Sequence, residues 1–247
     1  MNAIFITVRS GSTRLPNKSV IEIFGKPTIQ YLIDNMKKVQ NAEKIILCTT
    51  TLDEDDVLCQ IAKRSGIECF RGSVDDKLSR WLGACEKYAV DFFVNVDGDD
   101  LFFDNELVER VILQYNESRP DFIDGQGYLY NDVYGIPFTS LVHVCERKSE
   151  ESTEYIKPHF NDSELFIEKV KDYDPKWKKK NIRMTLDYDE DLQFFETVIN
   201  GLGEQELTFD NISNYLTDNP NVVDINWHME NEWKKRQSHQ MKIEKDT

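Results

Sequence analysis

Ala3-Ile-Phe-Ile-Thr-Val8, followed by an apolar stripe at Ile29, Leu32, Ile33 and Met36 and then by Lys44-Ile-Ile-Leu-Cys-Thr49, determines the fold expected of the chain. The outer pieces are short continuous apolar runs, as in strands buried on both faces. The middle one repeats at i, i+3, i+4, i+7, the spacing of one helix face. Strand, helix and strand in this order predict a βαβ crossover and hence parallel pairing. The rhythm continues. Val57, Leu58, Ile61 and Ala62 mark a second helix, and Ile67 to Phe70 a short strand. Ser73 with Asp76 resembles a capping box ahead of a helix on Leu78, Trp81, Leu82 and Cys85. Asp91-Phe-Phe-Val-Asn-Val96 is a further strand, and Asp104 is placed to cap a helix bearing Leu107, Val108, Val111 and Ile112. The expectation is an α/β fold: a doubly wound, mostly parallel (mixed), Rossmann-like sheet covered on both faces.

From about residue 120 to 180 the alternation breaks up among Gly125, Gly127, Gly135, Pro137, Pro158 and Pro175, which predicts an inserted region of irregular β structure. His143 falls in an apolar, strand-like stretch there and is expected to be packed. The α/β rhythm returns with a strand at Ile182 to Leu186 and a helix through Leu192, Phe195, Val198 and Ile199. Without a repeat or a long linker, residues 1–226 read as one domain and 227–247 as a polar C-terminal tail, an exposed helix or a frayed end.

Composition narrows the function. The 247 residues carry 30 Lys+Arg against 45 Asp+Glu, a formal charge of −15. That argues against nucleic acid and against a polybasic membrane surface as partners. A hydrophobic fraction of 40% with 11% aromatics supports a sizeable core and excludes whole-chain disorder. No apolar run approaches the roughly 18 residues of a membrane span, so a soluble cytoplasmic protein is expected. Cys48, Cys59, Cys69, Cys85 and Cys145 are odd in number and lack C-x-x-C spacing, which predicts reduced thiols. The charge is uneven: residues 1–50 hold seven basic and three acidic side chains, a local +4, leaving −19 on the other 197. A basic start on an acidic body points to a local anion site.

The loop after the first strand, Val8-Arg-Ser-Gly-Ser-Thr-Arg-Leu-Pro-Asn-Lys18, concentrates that charge. In an open α/β sheet the loop leaving the carboxyl end of a strand is a default ligand position. Small residues at 10–13 let backbone N–H groups approach an oxyanion, and Arg9, Arg14 and Lys18 add charge, as in a phosphate cradle. The same composition also suits a solvated surface turn. Neither familiar phosphate loop matches: only Gly11 of a G-x-G-x-x-G is present, and Lys18-Ser19 follows Gly11 too late for a P-loop, with Asn17 in place of its second Gly.

The full string, with Phe24-Gly-Lys-Pro27, resembles the opening of the CTP-dependent cytidylyltransferases that make CMP-activated acidic sugars, CMP-ulosonate and acylneuraminate synthetases. The branch it is most similar to is that of the spore-coat polysaccharide biosynthesis proteins. The resemblance continues in order through Thr49-Thr-Thr51, Phe70-Arg-Gly-Ser-Val-Asp-Asp76, Val96-Asp-Gly-Asp-Asp100 and Arg183-Met-Thr-Leu-Asp-Tyr-Asp-Glu-Asp-Leu192, nearly the whole chain. It implies a nucleotidyltransferase sheet and Mg²⁺-dependent transfer of CMP from CTP to an acidic acceptor, with release of pyrophosphate.

By the resemblance, Arg9 and Lys18 are catalytic and neutralise the triphosphate. Val8, Gly11 and Ser12 line it, and Arg14 either assists or fixes the loop. Asp99 and Asp187 match the family's metal-binding aspartates, each expected at a strand's carboxyl end on the rim of the N-terminal loop. Read as residues alone, both are equally good turn or helix-capping aspartates. Arg71, Gly72 and Ser73 align with the loop that reads the base. Asp97 stands where related enzymes often carry a glutamine; a carboxylate can accept from the cytosine amine but cannot donate. Asp53-Glu-Asp-Asp56 reads as a favourable helix N-terminus. Tyr134-Gly-Ile-Pro-Phe138 and Thr153-Glu-Tyr-Ile-Lys-Pro-His159 fall where relatives hold the sugar acid, making Tyr134, Gly135, Lys157 and His159 the acceptor candidates; the inserted region is also where the family forms homodimers. Alternatives are the same fold with a phosphate- or phosphonate-bearing acceptor or another nucleoside triphosphate, a non-catalytic nucleotide-binding protein, and a P-loop kinase, which the loop spacing disfavours.

Overall fold

In the computed structural model, which describes residues 1–125, 132–148, 156–173, 181–204 and 207–235, β1 (Asn2–Thr7) is buried from Ala3 onward. It divides its side chains by the two-residue period of a strand. Ile4 and Ile6 join the core on one face of the sheet, and Ala3 and Phe5 the core on the other. On the first face lie α1 (Thr28–Met36), α2 (Asp56–Arg64) and α4 (Asn105–Ser118), each presenting its apolar stripe. On the second lie α3 (Lys77–Tyr88) and α5 (Phe138–Arg147), with Trp81 against Phe93 and Phe5 stacked on Phe93 at 4.1 Å.

The other strands are β2 (Glu22–Ile23) and β3 (Lys26–Pro27), which form a separate small hairpin, then β4 (Lys44–Thr50), β5 (Glu68–Gly72), β6 (Phe92–Asp97), β7 (Phe122–Asp124), β8 (Tyr134–Pro137) and β9 (Ile167–Lys169). The main sheet has seven strands in the order β5-β4-β1-β6-β8-β7-β9. Strands β5, β4, β1 and β6 are mutually parallel, whereas β8 runs antiparallel to both β6 and β7. The chain winds outward from β1 to β4 and β5 and then returns to place β6 on β1's other side. The loops leaving β1 and β6 therefore diverge from a topological switch point, the ligand-binding crevice of such sheets.

A third core joins α6 (Asp189–Leu202), α7 (Phe209–Asp218) and α8 (Pro220–Trp227) around Ile182, Met184 and Leu186, and takes in Leu15 of the first loop. All five cysteines are free thiols, and among the described residues no helix is long and apolar enough to cross a membrane.

Several expectations are corrected. The described residues between 120 and 180 supply three short strands, β7, β8 and β9, to the edge of the main sheet, and also, beyond the expected irregular β structure, the ten-residue α5. His143 lies on that helix, half-buried, because Leu141 and Val144 recur at helical spacing behind Pro137, which serves as the N-cap. Ile182, Arg183, Met184 and Leu186 are buried, but the segment joins no ladder among the described residues. Apolar character there reports burial between helices, not pairing. Asp76, not Ser73, is the N-cap of α3: it accepts from the Ser79 N–H at 3.0 Å, while Ser73 Oγ accepts from the Asp76 N–H. The chain beyond α8 is helical over 229–235. Gly127, Thr153 to Tyr155, Pro175 and residues 236–247 lie outside the described residues.

A buried polar thread runs through the sheet toward the switch point. Trp81 Nε1 donates to Thr7 Oγ1 at 2.9 Å, Thr7 Oγ1 to Asn95 Oδ1 at 2.5 Å, and Asn95 Nδ2 to Asp97 at 3.3 Å. Thr7→Val keeps the shape but strands the Trp81 N–H and the Asn95 carbonyl oxygen. It should lower stability in urea unfolding by about 1–3 kcal/mol; an unchanged midpoint would show that the thread contributes nothing.

Candidate active site

The loop after β1 is held at two points. Ser10 N–H donates to buried Asp55 Oδ1 at 2.7 Å and Ser10 Oγ to the Glu54 carbonyl at 3.1 Å, while Leu15 is anchored in the third core. Asp55 also accepts from the Thr50 N–H and hydroxyl. Burial would raise its pKa, but the hydrogen bonds from Thr50 and Ser10 prevail and hold it below the usual range. The acidic run at 53–56 therefore does more than favour a helix start: it clamps the loop. A Cβ on Gly11 would come within 3.0 Å of Glu54 Oε1.

Across the crevice, the loop after β6 closes on the first one. The Gly98 N–H donates to the Thr7 carbonyl at 2.9 Å, and a Cβ on Gly98 would lie 2.6 Å from Val8 Cβ, so only glycine permits this approach. One residue on, the Asp99 carbonyl accepts from the Leu186 N–H at 2.9 Å, which brings the 181–187 segment alongside and sets Asp187 beside Asp99. Asp99 thus follows a strand as expected, whereas Asp187 reaches the same rim from a segment that joins no ladder among the described residues.

The side chains converge on Asp187, whose carboxylate is 2% exposed. Lys18 Nζ donates to Asp187 Oδ1 at 2.8 Å and to Asp99 Oδ2 at 2.6 Å. Arg14 Nη2 donates to the same Asp187 Oδ1 at 2.5 Å, and Arg183 Nη2 to Oδ2 at 3.1 Å. Burial alone would raise the pKa of Asp187, but Lys18 and Arg14 outweigh it and hold the carboxyl down at about 2. Burial would likewise lower Lys18, but Asp99 and Asp187 keep its ammonium above its ordinary value. This ammonium marks one cation-sized position shared by two carboxylate oxygens. Two carboxylates offered to one cation is a donor set that suits Mg²⁺.

The remaining sequence candidates are distributed as follows. Arg9 Nη1 lies 3.5 Å from the Val74 carbonyl, on the approach to α3. The Ser12 N–H bonds back to the Ser10 carbonyl at 2.8 Å, so it is turned into the loop. Arg71 donates to the Thr50 and Leu52 carbonyls at 2.9 and 2.7 Å and pairs with Asp56. It braces the β4 exit, with exposed Ser73 beyond it. Gly72 is a close-contact glycine against Phe70 and Arg80. Lys77 Nζ lies 3.6 Å from Asp97. Of the acceptor candidates, Gly135 is buried in β8, where a Cβ would meet Phe92 and Val111 at 2.8 Å, and Tyr134 is buried with its hydroxyl donating to Asp132 at 3.1 Å. Lys157 Nζ pairs with buried Asp124 at 2.9 Å, and His159 is half-buried on the same short 3₁₀ turn. The structure brings Arg14, Lys18, Asp99 and Asp187 into one cluster; it makes Gly135 a packing residue.

Arg183, Asp191, Asn226 and Glu230 were not singled out by sequence, yet all belong to the cluster's support. Arg183 donates to Asp191 and Glu230, and Asn226 to Asp191. The signal was an arginine inside the apolar run Ile182 to Leu186: a guanidinium buried there requires carboxylate partners.

A cation-bearing loop facing two carboxylates across the switch point of a doubly wound sheet defines an enzyme of the nucleotidyltransferase class. The chain belongs to the cytidylyltransferase family, whose model matches residues 3–212. It is 22% identical over 234 residues to the spore coat polysaccharide biosynthesis protein SpsF of Bacillus subtilis, covering 88% of this chain and 95% of that one. It is 32% identical over 116 residues to a 3-deoxy-manno-octulosonate cytidylyltransferase of Acinetobacter baumannii, covering 45% and 44% of the two chains. A cytidylyltransferase structure from Leptospira borgpetersenii superposes with a TM-score of 0.80 at 23% identity, covering 90% of this chain and 96% of that one.

Because the folded-state pKa of Asp187 lies below the ordinary carboxylate value of 3.8, its contribution to stability is present above that value and lost as pH falls toward about 2. The stability gap between the ligand-free wild type and Asp187→Asn should therefore narrow by about 1 kcal/mol between about pH 6 and about pH 3 in urea unfolding. A gap independent of pH would mean that Asp187 is not held as described.

Proposed function

We propose that the enzyme transfers CMP from CTP to a hydroxyl of an acidic sugar, releasing pyrophosphate, with Mg²⁺ held by Asp99 and Asp187. Its product would feed surface polysaccharide synthesis, as the name of the Bacillus relative suggests. The observation that carries this reading is the Lys18 ammonium lodged between the two carboxylates.

In such a transfer the acceptor oxygen attacks the α-phosphorus as the bond to pyrophosphate breaks. Charge accumulates on the departing group, so catalysis rests on neutralisation and alignment. Mg²⁺, when bound, supplies Lewis-acid neutralisation at the α-phosphate. Lys18 cannot remain between the carboxylates beside a dication: at a few ångströms and an effective dielectric of about 20 the repulsion is on the order of 10 kcal/mol. The triphosphate gives Lys18 and Arg14 new anionic partners, so these residues exchange Asp187 for phosphate oxygens as the carboxylates open. Arg9, at the loop's entrance, adds a third cation for the pyrophosphate. Lys157 is the acceptor-side cation best placed to trade its carboxylate, Asp124, for that of the sugar acid.

A homodimer is part of the same proposal. It is supported by β9, the last strand of the main sheet among the described residues, at whose start Phe166 and Ile167 are 54% and 37% exposed. Light scattering should then give twice the 29.0 kDa chain mass, and Phe166→Glu should shift it toward one.

Asp99→Ala and Asp187→Ala should each abolish pyrophosphate release while the far-ultraviolet dichroism stays native; wild-type-like turnover in either removes the metal assignment. In a thermal-shift comparison of CTP, UTP, GTP and ATP with Mg²⁺, CTP should stabilise most. Preference for another nucleotide would overturn the base assignment.

A further inference from the structure

Three cations meet Asp187, and they are not equivalent. Lys18 and Arg14 come from the nucleotide-facing loop and use Oδ1; Arg183 comes from the 181–187 segment and uses Oδ2. Arg183 is 1% exposed in its side chain and engaged on its remaining sides. Nε donates to Asp191 Oδ1 at 2.9 Å, Nη2 also reaches Asp191 Oδ2 at 3.2 Å, and Nη1 reaches Glu230 Oε2 at 3.3 Å. The rings of Tyr188 and Trp233 lie 5.5 and 5.8 Å from its guanidinium carbon, within cation–π range. Asp191 in turn accepts from the Asp187 and Tyr188 N–H groups at 2.8 and 3.0 Å and from Asn226 Nδ2 at 2.9 Å.

This network separates what can move from what cannot. A triphosphate can draw away Lys18 and Arg14, which belong to a partly exposed loop. Arg183 is held by two carboxylates and two rings and cannot follow. We propose that Arg183 is a positioning residue: it grips Oδ2 and fixes the carboxylate plane of Asp187, so that Oδ1 faces the cation position once the loop residues have left. The helical segment 229–235, through Glu230 and Trp233, is the outer wall that holds Arg183 in place. The C-terminal stretch read from sequence as a polar tail thereby acts on the metal site. Outer-shell partners of metal-binding carboxylates commonly contribute 10- to 100-fold in metal affinity. The inference rests on the reading of Asp187 as a metal ligand.

The test is Mn²⁺ binding to the CTP complex without acceptor, followed by electron paramagnetic resonance of the free ion. Arg183→Lys keeps the charge but loses the planar fork that reaches Asp187 and Asp191 together. Its Mn²⁺ dissociation constant should rise about tenfold. Metal-free CTP affinity should not change, and kcat should recover to near the wild-type value at saturating metal. Glu230→Gln, remote from the nucleotide, should shift Mn²⁺ affinity in the same direction by a smaller factor, and it decides alone if Arg183→Lys does not fold. Unchanged Mn²⁺ affinity in the folded variants, or a kcat loss that excess metal does not restore, overturns the positioning role. A wild-type CTP complex that binds no Mn²⁺ overturns instead the assignment of Asp187 as a metal ligand, and the inference with it.

Discussion

A carboxylate removed from water must be matched by cations or it destabilises the fold by several kcal/mol, and Asp187 is such a carboxylate. Its match comes from residues 14, 18 and 183, so the N-terminal loop and the C-terminal third of the chain have to be together for either to be stable. Lys18 extends the same condition to Asp99 and hence to the loop after β6. The backbone bond between Leu186 and Asp99 fixes the register of that meeting. The site is thus a product of charge neutralisation among segments distant in sequence, with the third hydrophobic core closing behind it.

The sheet provides the place where those segments can meet. With β4 on one side of β1 and β6 on the other, the chain leaves β1 and β6 into a crevice instead of over a neighbouring strand. Gly98 lets the two loops approach until Val8 lies against it, and Asp55 pins Ser10 from beneath. These contacts and the burial of Leu15 fix the loop at Ser10 and Leu15, with exposed Gly11 and Thr13 between them as its open part. Rigid ends with an open middle suit a loop that must trade one set of anions for another.

Periodicity made the first four parallel strands and their helices legible, because the two-residue and 3.6-residue repeats of residues 3–112 report burial on a sheet face or a helix stripe directly. It misled where burial and pairing part company. Ile182, Met184 and Leu186 alternate as a strand would, yet they are buried between helices, and the residue between the first two, Arg183, is also buried. The apolar stretch around His143 reads as strand-like, but Leu141 and Val144 face the core three residues apart and the sheet continues through β8 instead. For the site, sequence resemblance named the four residues that cluster, but residue type alone could not show their partners. The support residues Asp191, Asn226 and Glu230 lie on helices with nothing in their spacing to mark them, and only the burial of Arg183 makes them necessary.

The same distinction changes the meaning of the chain's basic beginning. A local +4 over residues 1–50 suggested a surface waiting for phosphate, but Arg14 and Lys18 already spend their charge on Asp187 and Asp99. Under the proposed function, binding a triphosphate is therefore an exchange of anionic partners and not the addition of an anion to a free patch. Carboxylates vacated by the loop cations would be left buried and unmatched unless a divalent cation entered with the nucleotide. Equally, a divalent cation entering alone would face Lys18 at close range. Each ligand removes the obstacle to the other, so the arrangement favours the metal–nucleotide pair over either component. An acidic protein with a self-neutralised site can thereby select a polyanion without attracting polyanions in general.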